Sequence, residues 1–335
     1  LEAFAAQSLA GTVPVIRQPP LAELATRLEL DRLIAEGGLH GDRLAQFLAH
    51  YLGATTRLRH PGYMAHQVAV PADASAIAAL VDSFTNNAMA IYEMGPAAAT
   101  VEFTVLNWML AKIGWTPAPQ PHEASAGPYA GGVLTHGGSL ANLTALLAAR
   151  ARVASKAWEE GSPSGLVIVC SDVSHYSVAR TAGIMGLGQK AIRHAPTDRY
   201  GRLDPARLEG FLDQLRKRGE RVIAVVANAC STALGLYDPL RDIATICRAE
   251  GVWLHVDGAH GASALVSPRL RTLLDGIELS DSVIWDAHKM LGSATLCAAV
   301  LTRDHRDLTL CKAAVVQDLG PEPRERDLPD GGGRL

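Results

Sequence analysis

Short runs of uninterrupted apolar residues alternate along most of this chain with longer stretches whose apolar positions recur every three or four residues. The runs Leu166–Cys170, Val222–Ala227, Val252–Asp257, Ser282–Trp285 and Ala298–Thr302 read as buried strands, and Lys190–His194 as a further short one. Between them lie helical patterns. Leu140–Val153 carries Leu140, Leu143 and Leu147 on one face. Ser174-His175-Tyr176-Ser177 opens another helix. Asp204-Pro205 supplies an N-cap and a first-turn proline for a helix closing at Gly219, and Pro239–Glu250 ends at Gly251. Strands apolar throughout and separated by helices predict an α/β domain, its mostly parallel sheet sandwiched by helices.

The first part of the chain has a different rhythm. Residues 1–55 are predicted helical and amphipathic, with Leu21, Leu24, Ala25 and Leu28 at helical spacing, and Leu44, Phe47, Leu48 and Tyr51 likewise. Such an arm cannot bury its apolar stripe alone, so it must pack on the main body or on a second subunit. His60–Pro71 reads as a proline-bounded loop. Its His66 and Gln67 are either substrate contacts or polar groups satisfied within the loop. Helices are expected over 73–90 and 97–113, split by Gly95-Pro96. The predicted organisation is an N-terminal arm (1–55), a large domain (56–310) and a remnant of a further domain (311–335).

Composition narrows the classes. The 335 residues are 48% hydrophobic, enough for a large core, and the net charge of −3 is spread without a basic patch, which argues against a nucleic-acid partner. No apolar run is long enough to span a bilayer and no leader peptide is visible, so no membrane partner is expected. The five cysteines form no CxxC pair and read as reduced thiols of a cytoplasmic protein. The sequence opens on Leu1 rather than Met, so the expectation is a piece of a longer chain.

The candidate chemistry collects at strand ends. In an open α/β sheet, ligands bind beyond the carboxyl ends of the strands. His175 follows one strand, Ser231 and Thr232 a second, Asp257 ends a third, and Lys289 follows a fourth. Gly137-Gly138-Ser139 precedes a strong helix. That is either an anion site made of backbone N–H groups or an ordinary serine N-cap. A lysine where a buried strand runs out is either a surface residue or an amine tuned to form a Schiff base. Together these regions offer four groups: an anion site, a flat imidazole, a carboxylate and an amine. A pyridine cofactor bearing a phosphate and an aldehyde needs these groups.

Several motifs carry a resemblance. Ser174-His175-Tyr176-Ser177, His255-Val256-Asp257-Gly258-Ala259-His260-Gly261 and Asp286-Ala287-His288-Lys289 resemble segments of the group II pyridoxal-phosphate-dependent amino acid decarboxylases, which act on glutamate, aromatic amino acids or diaminobutyrate. The interval of 32 residues from Asp257 to Lys289 is also typical of them. The resemblance, over about His60 to Asp304, implies the aspartate-aminotransferase fold (fold type I) and pyridoxal 5'-phosphate as cofactor. It implies Lys289 as the Schiff-base lysine, Asp257 as partner of the pyridine nitrogen, and His175 as the stacking residue and a proton donor. It implies cofactor contacts from Gly137, Gly138, Ser139, Ser231, Ala259 and His288. Met94-Gly95-Pro96 resembles a segment that members contribute to a neighbouring subunit's site, so Gly95 and Pro96 join His66 and Gln67 as expected substrate contacts. The implied partner is a second copy of the chain, with the active site at the subunit interface. No metal is expected.

Three departures stand out. Cys230-Ser231-Thr232 replaces the family's usual Gly-Thr-Thr, no tyrosine follows Tyr237, and the sequence stops where relatives continue into a small domain. The expected reaction is decarboxylation of an L-amino acid to its amine and carbon dioxide. Oxidative deamination, transamination or another lyase reaction are alternatives on the same fold, and a catalytically retired scaffold is the alternative of another class.

Overall fold

The structure is a computed structural model that describes residues 1–64, 67–89, 91–119 and 128–310. His66 and residues 311–335 therefore lie outside the described residues. The chain divides into two compact units, Leu1–Val70 and Pro71–Leu335.

The first unit holds four helices: α1 (Glu2–Ala10), α2 (Leu21–Arg27), α3 (Leu30–Glu36) and α4 (Gly41–Gly53). Only Ser8, Leu28 and Arg57 of its described residues are buried. Arg57 donates to the Phe4 carbonyl and to Ser8 Oγ, and stacks over the Phe4 ring. Leu44, Leu48 and Tyr51 of α4 stay exposed.

The second unit is built on one seven-stranded sheet. In chain order its elements are α5 (Asp73–Thr85), α6 (Pro96–Ile113), β1 (Gly131–Thr135), α7 (Gly138–Val153), α8 (Ala157–Glu160), β2 (Leu166–Cys170), α9 (Ser177–Ile184), β3 (Ile192–His194), α10 (Pro205–Lys217), β4 (Arg221–Asn228), α11 (Leu240–Glu250), β5 (Trp253–Asp257), β6 (Ser282–Asp286), α12 (Ala287–Met290), β7 (Ala298–Thr302) and α13 (Arg306–Leu310). The strand order is β1-β7-β6-β5-β4-β2-β3. From β6 to β3 every pairing is parallel, while β7 runs antiparallel to both β6 and β1. The mostly parallel sheet is as the apolar runs predict. The antiparallel edge is not marked in them.

Period-two alternation divides the strands between two cores. Val225, Leu254, Val256, Val283 and Trp285 face a core shared with Leu110 of α6, Leu212 of α10 and Ile243 of α11. Ile168, Ala224, Val226 and Trp253 face the other side, against Leu146, Ala148 and Ala149 of α7. Ala141 and Ala145 of α7 lie on Ile284, Ala298 and Val300. The small residues of α7 let its backbone lie close to the sheet.

Four local expectations need correction. The helix expected over 73–90 stops at Thr85, because Asn86 takes the left-handed conformation (φ 48°). The strand expected at Lys190 begins at Ile192, after a 3-10 turn at Gln189–Ala191. The Ser174–Ser177 motif is a connection whose helix starts only at Ser177. Ser139 is not the N-cap of its helix. Gly137 is, at φ 91°, a backbone shape that favours glycine, so Ser139 falls in the first helical turn. Among the described residues, no helix is long and apolar enough to cross a membrane.

Candidate functional site

Two neighbouring strand ends define the site. Asp257 is the last residue of β5 and Asp286 the last of β6, and both lie on the sheet face covered by α7. Parallel pairing sets Asp257 beside Asn228 on one side and Ile284 on the other. His255 and Ser282 are also cross-strand partners. Alternation therefore points His255, Asp257, Ser282 and Asp286 to one side, where an all-apolar strand would have put aliphatic groups.

Asp257 is buried. Its Oδ1 accepts the Ala259 backbone N–H at 3.2 Å and its Oδ2 accepts Asn142 Nδ2 at 3.0 Å. Asn142, on α7, is itself buried; it donates a second bond to Ser177 Oγ at 2.8 Å, and its Oδ1 meets His255 Nε2 at 2.7 Å. His255 Nδ1 lies 2.8 Å from Ser282 Oγ, which also accepts the Trp253 indole N–H at 2.9 Å. Burial lowers the His255 imidazole to about 4, against the pull of Asp257.

His175 stands two residues before Ser177, with Nδ1 2.7 Å from Ser177 Oγ and its ring 4.1 Å from that of Tyr176. Its pKa is lowered, first by burial and then by the positive charges of Lys289 and Arg180, while Asp257 opposes the shift.

Lys289 lies in the single turn α12 that follows Asp286. Its Nζ is 3.4 Å from Asp286 Oδ2, and the side chain keeps about one-fifth of its surface exposed (21%). His288 is buried beside it. Its Nδ1 meets the Cys297 carbonyl at 2.7 Å and its Nε2 is 3.8 Å from Asp286. The Cys297 backbone N–H also approaches Nδ1, at 3.2 Å, so both backbone groups of Cys297 hold the ring in place. Burial pushes the Asp286 carboxyl above its usual range in spite of Lys289 and His288, and its buried Oδ1 has no hydrogen-bond partner among the described residues.

The antiparallel edge explains what faces Asp286. Ala298 of β7 pairs with Asp286 on one side and with Thr135 of β1 on the other. The turn after Thr135 thus brings the start of α7 over Asp286. A Cβ on Gly138 would stand 2.8 Å from Asp286 Oδ2, so only glycine allows this approach. Ser139 follows in the same turn.

The structure therefore groups Gly138, Asp257, Asp286, His288 and Lys289 with His175, and ties His175 to Asp257 through Asn142. Ala259 hydrogen-bonds Asp257 directly. Ser231 is buried after β4, and its hydroxyl accepts the Leu236 N–H at 3.2 Å within its own loop. Gly95 caps α6 and Pro96 begins it, on an element packed against β1 and β7. Gln67 belongs to the first unit, and His66 is outside the described residues.

Asn142, His255 and Asp286 are functional candidates that sequence reasoning passed over. A signal for His255 was present, since a histidine two residues before Asp257 in a buried strand must share its face. Asn142 gave none, because one polar residue in an alanine-rich helix reads as solvent-facing. Among the described residues no cluster suited to a metal ion is found.

Comparison with known proteins identifies the family and the fold. A family model described as the pyridoxal-dependent decarboxylase conserved domain matches residues 55–325. The acidic amino acid decarboxylase GADL1 of Mus musculus is 33% identical over 295 residues, 87% of this chain and 50% of that protein. The L-2,4-diaminobutyrate decarboxylase of Acinetobacter baumannii is 30% identical over 276 residues, 78% of this chain and 52% of that protein. The crystal structure of mouse CSAD in apo form superposes with a TM-score of 0.81 at 28% identity, covering 95% of this chain and 66% of that one. The chain thus spans about half the length of the curated relatives it matches.

Proposed function

We propose, for a chain that belongs to the pyridoxal-dependent decarboxylase family, that it converts an L-amino acid to its amine and carbon dioxide with pyridoxal 5'-phosphate as cofactor. One observation carries the reading: buried carboxyl groups end the adjacent parallel strands β5 and β6 beneath a glycine-led helix start, and a lysine amine in the turn after β6 lies 3.4 Å from the second of them.

The residues fit the cofactor. Gly138 is too crowded for any side chain, and the start of the 16-residue α7 above Asp286 favours an anion. Gly137, Gly138, Ser139 and His288 would hold the phosphate. A carboxylate beside a phosphate is a repulsive pair, but a carboxyl already raised by burial is readily held as the neutral acid. Asp257 would face the pyridine nitrogen, with His175 and Ala259 against the two ring faces and Ser231 at the ring edge. When bound, the cofactor supplies an aldehyde that captures an amine and a ring that takes up the electron pair left by departing carbon dioxide.

The chain's own groups then have distinct tasks. Lys289 would provide the amine that holds the cofactor's aldehyde. Asp257, an acceptor fixed by two donors, keeps a proton on the ring nitrogen. His175 is the candidate donor of the proton that returns to the substrate's α-carbon. Gln67, His66, Gly95 and Pro96 are proposed substrate contacts, and Ala259 limits the space beside the ring.

We further propose a homodimer with the site at its interface and residues 1–55 exchanged between subunits. An arm with only two buried residues, Ser8 and Leu28, and the exposed Ile77, Leu80, Val81 and Phe84 of α5, support it. A cytoplasmic location is proposed on the free thiols of Cys170, Cys230, Cys247 and Cys297. The net charge and the absence of a basic patch favour neither nucleic acid nor a membrane as partner.

The test is parallel measurement of carbon dioxide and ammonia from full-length protein given pyridoxal 5'-phosphate and a panel of L-amino acids. Carbon dioxide without ammonia from one substrate is the expected result. Carbon dioxide with ammonia and oxygen uptake would replace the reading with oxidative deamination, and neither product from any amino acid would refute it.

A further inference from the structure

Asn142 has an amide group with both ends committed. Asp257 Oδ2 belongs to a hydrogen-bonded carboxylate and can accept, so the Asn142 atom 3.0 Å from it must be the NH2. That fixes the orientation of the amide and turns its oxygen toward His255 Nε2, 2.7 Å away. A carbonyl oxygen cannot donate. His255 therefore carries a proton on Nε2, and its neutral ring accepts at Nδ1 from Ser282.

The second NH2 hydrogen goes to Ser177 Oγ at 2.8 Å. Ser177 then has its own hydroxyl hydrogen left to give, and His175 Nδ1 is 2.7 Å away. The Ser177 backbone N–H also approaches that nitrogen, at 3.3 Å. Two donors aimed at Nδ1 make it an acceptor, so the His175 proton must be on Nε2. Among the described residues, Nε2 has no hydrogen bond of its own. One amide thus orders a carboxylate, a buried imidazole and, through one hydroxyl, a second imidazole half open to the site.

We propose that Asn142 is a positioning residue that couples Asp257 to His175, holding the Asp257 carboxylate in place and fixing His175 as the tautomer that presents Nε2–H to the ligand. The network explains why the sheet-facing side of α7, with Ala141, Ala145 and Leu146 buried, also carries a buried amide. It also explains the histidine in the middle of β5, whose Nε2–H the Asn142 oxygen accepts. His175 in this state donates through Nε2–H and keeps its basic lone pair on Nδ1, toward Ser177, so it can pass the Nε2 proton on only as Nδ1 takes another up. Only its use in catalysis rests on the function proposed above, because the tautomers follow from the hydrogen bonds alone.

The experiment is histidine-selective 1H–15N correlation spectroscopy of the full-length protein without cofactor, which distinguishes Nδ1–H from Nε2–H rings. His175→Gln and His255→Gln variants assign the signals. Both rings are expected as neutral Nε2–H tautomers near pH 7. In Asn142→Leu, which keeps the volume and removes the hydrogen bonds, His175 is expected to lose its single tautomer. The affinity for pyridoxal 5'-phosphate and kcat/KM should each fall, the latter by about the 10- to 100-fold typical of supporting hydrogen bonds at a charged site. Ser177→Ala removes the shorter of the two contacts at His175 Nδ1 and leaves only the backbone N–H at 3.3 Å, so it should loosen the His175 tautomer and leave His255 unchanged; it serves if Asn142→Leu does not fold. A wild-type His175 with its proton on Nδ1, or one unaffected by Ser177→Ala, would overturn the proposal. The expected tautomers in a protein that binds no pyridoxal 5'-phosphate would uphold the network and refute the proposed function instead.

Discussion

Lys289 Nζ lies 3.4 Å from Asp286 Oδ2, a carboxylate almost wholly buried and three residues earlier in the chain. The pair holds the amine in α12, the single turn that follows β6. Removing the amine should abolish chemistry and leave Asp286 without its charge partner. Lys289→Ala is expected to lower carbon dioxide release by about a thousandfold or more, because a lost nucleophilic amine is not replaced by neighbours. Borohydride reduction and peptide mapping should find the pyridoxyl group on Lys289 in the wild type and on no residue of the variant. A variant retaining full activity would remove Lys289 from the mechanism.

Asp286 predicts how cofactor binding depends on pH. Its carboxyl is raised by burial, and it is faced by Lys289 and His288 from α12 and by Asp257 from β5. As pH falls the carboxyl takes up a proton sooner than an ordinary aspartate, and the repulsion of a phosphate at the α7 start disappears. Wild-type affinity for pyridoxal 5'-phosphate should therefore strengthen relative to Asp286→Asn between pH 8 and pH 5. At pH 8 the variant should bind more tightly by about three- to tenfold, a difference of roughly 1 kcal/mol. Fluorescence titration at several pH values measures it, and parallel curves for the two proteins would show that Asp286 is not near the phosphate.

Much of this was legible in the sequence because buried parallel strands announce themselves. The runs that became β2, β4, β5, β6 and β7 needed no partner to be recognised, and Lys289 and Asp257 stand at their ends. Gly131–Thr135 was different. Its glycines carry no apolar signal, and its place at the edge, antiparallel to β7, is fixed by tertiary pairing. The closeness of Gly138 to Asp286 depends on that pairing, so the role of Asp286 was invisible before the fold. Asn142 was hidden for a related reason: only the direction of α7 across β5 decides that its amide points down.

His255 makes stability sensitive to acid. Its folded pKa is about 4, below the ordinary histidine value of 6.5, so the unfolded chain binds the extra proton between those pH values. The linkage slope is then positive. Stability is fully present above pH 6.5 and is lost as pH falls toward 4, by roughly 3 kcal/mol in all. His255→Gln can still donate to Asn142 and accept from Ser282 but does not titrate. Urea denaturation at pH 7 and pH 4.5 should show the wild type losing more stability than the variant. Equal losses would mean that His255 is not buried as a neutral ring.

The exposed face of α5 gives the last prediction. Ile77, Leu80, Val81 and Phe84 recur at helical spacing, and none is buried within the chain. Covering a side chain of this size yields about 1.5–3 kcal/mol, so a partner helix over this face would gain several kcal/mol from them. Aspartate at two of the positions would forfeit that gain and add the cost of burying charge. The double variant Leu80→Asp/Phe84→Asp is expected to weaken self-association of the full-length protein by about a thousandfold or more, since every 1.4 kcal/mol is a factor of ten. Sedimentation velocity should then show a monomer where the wild type is a dimer. Because the site is proposed to lie at the interface, decarboxylation should fall with dimer concentration and recover when the variant is concentrated. A variant that remains a dimer would place the subunit contact on another face.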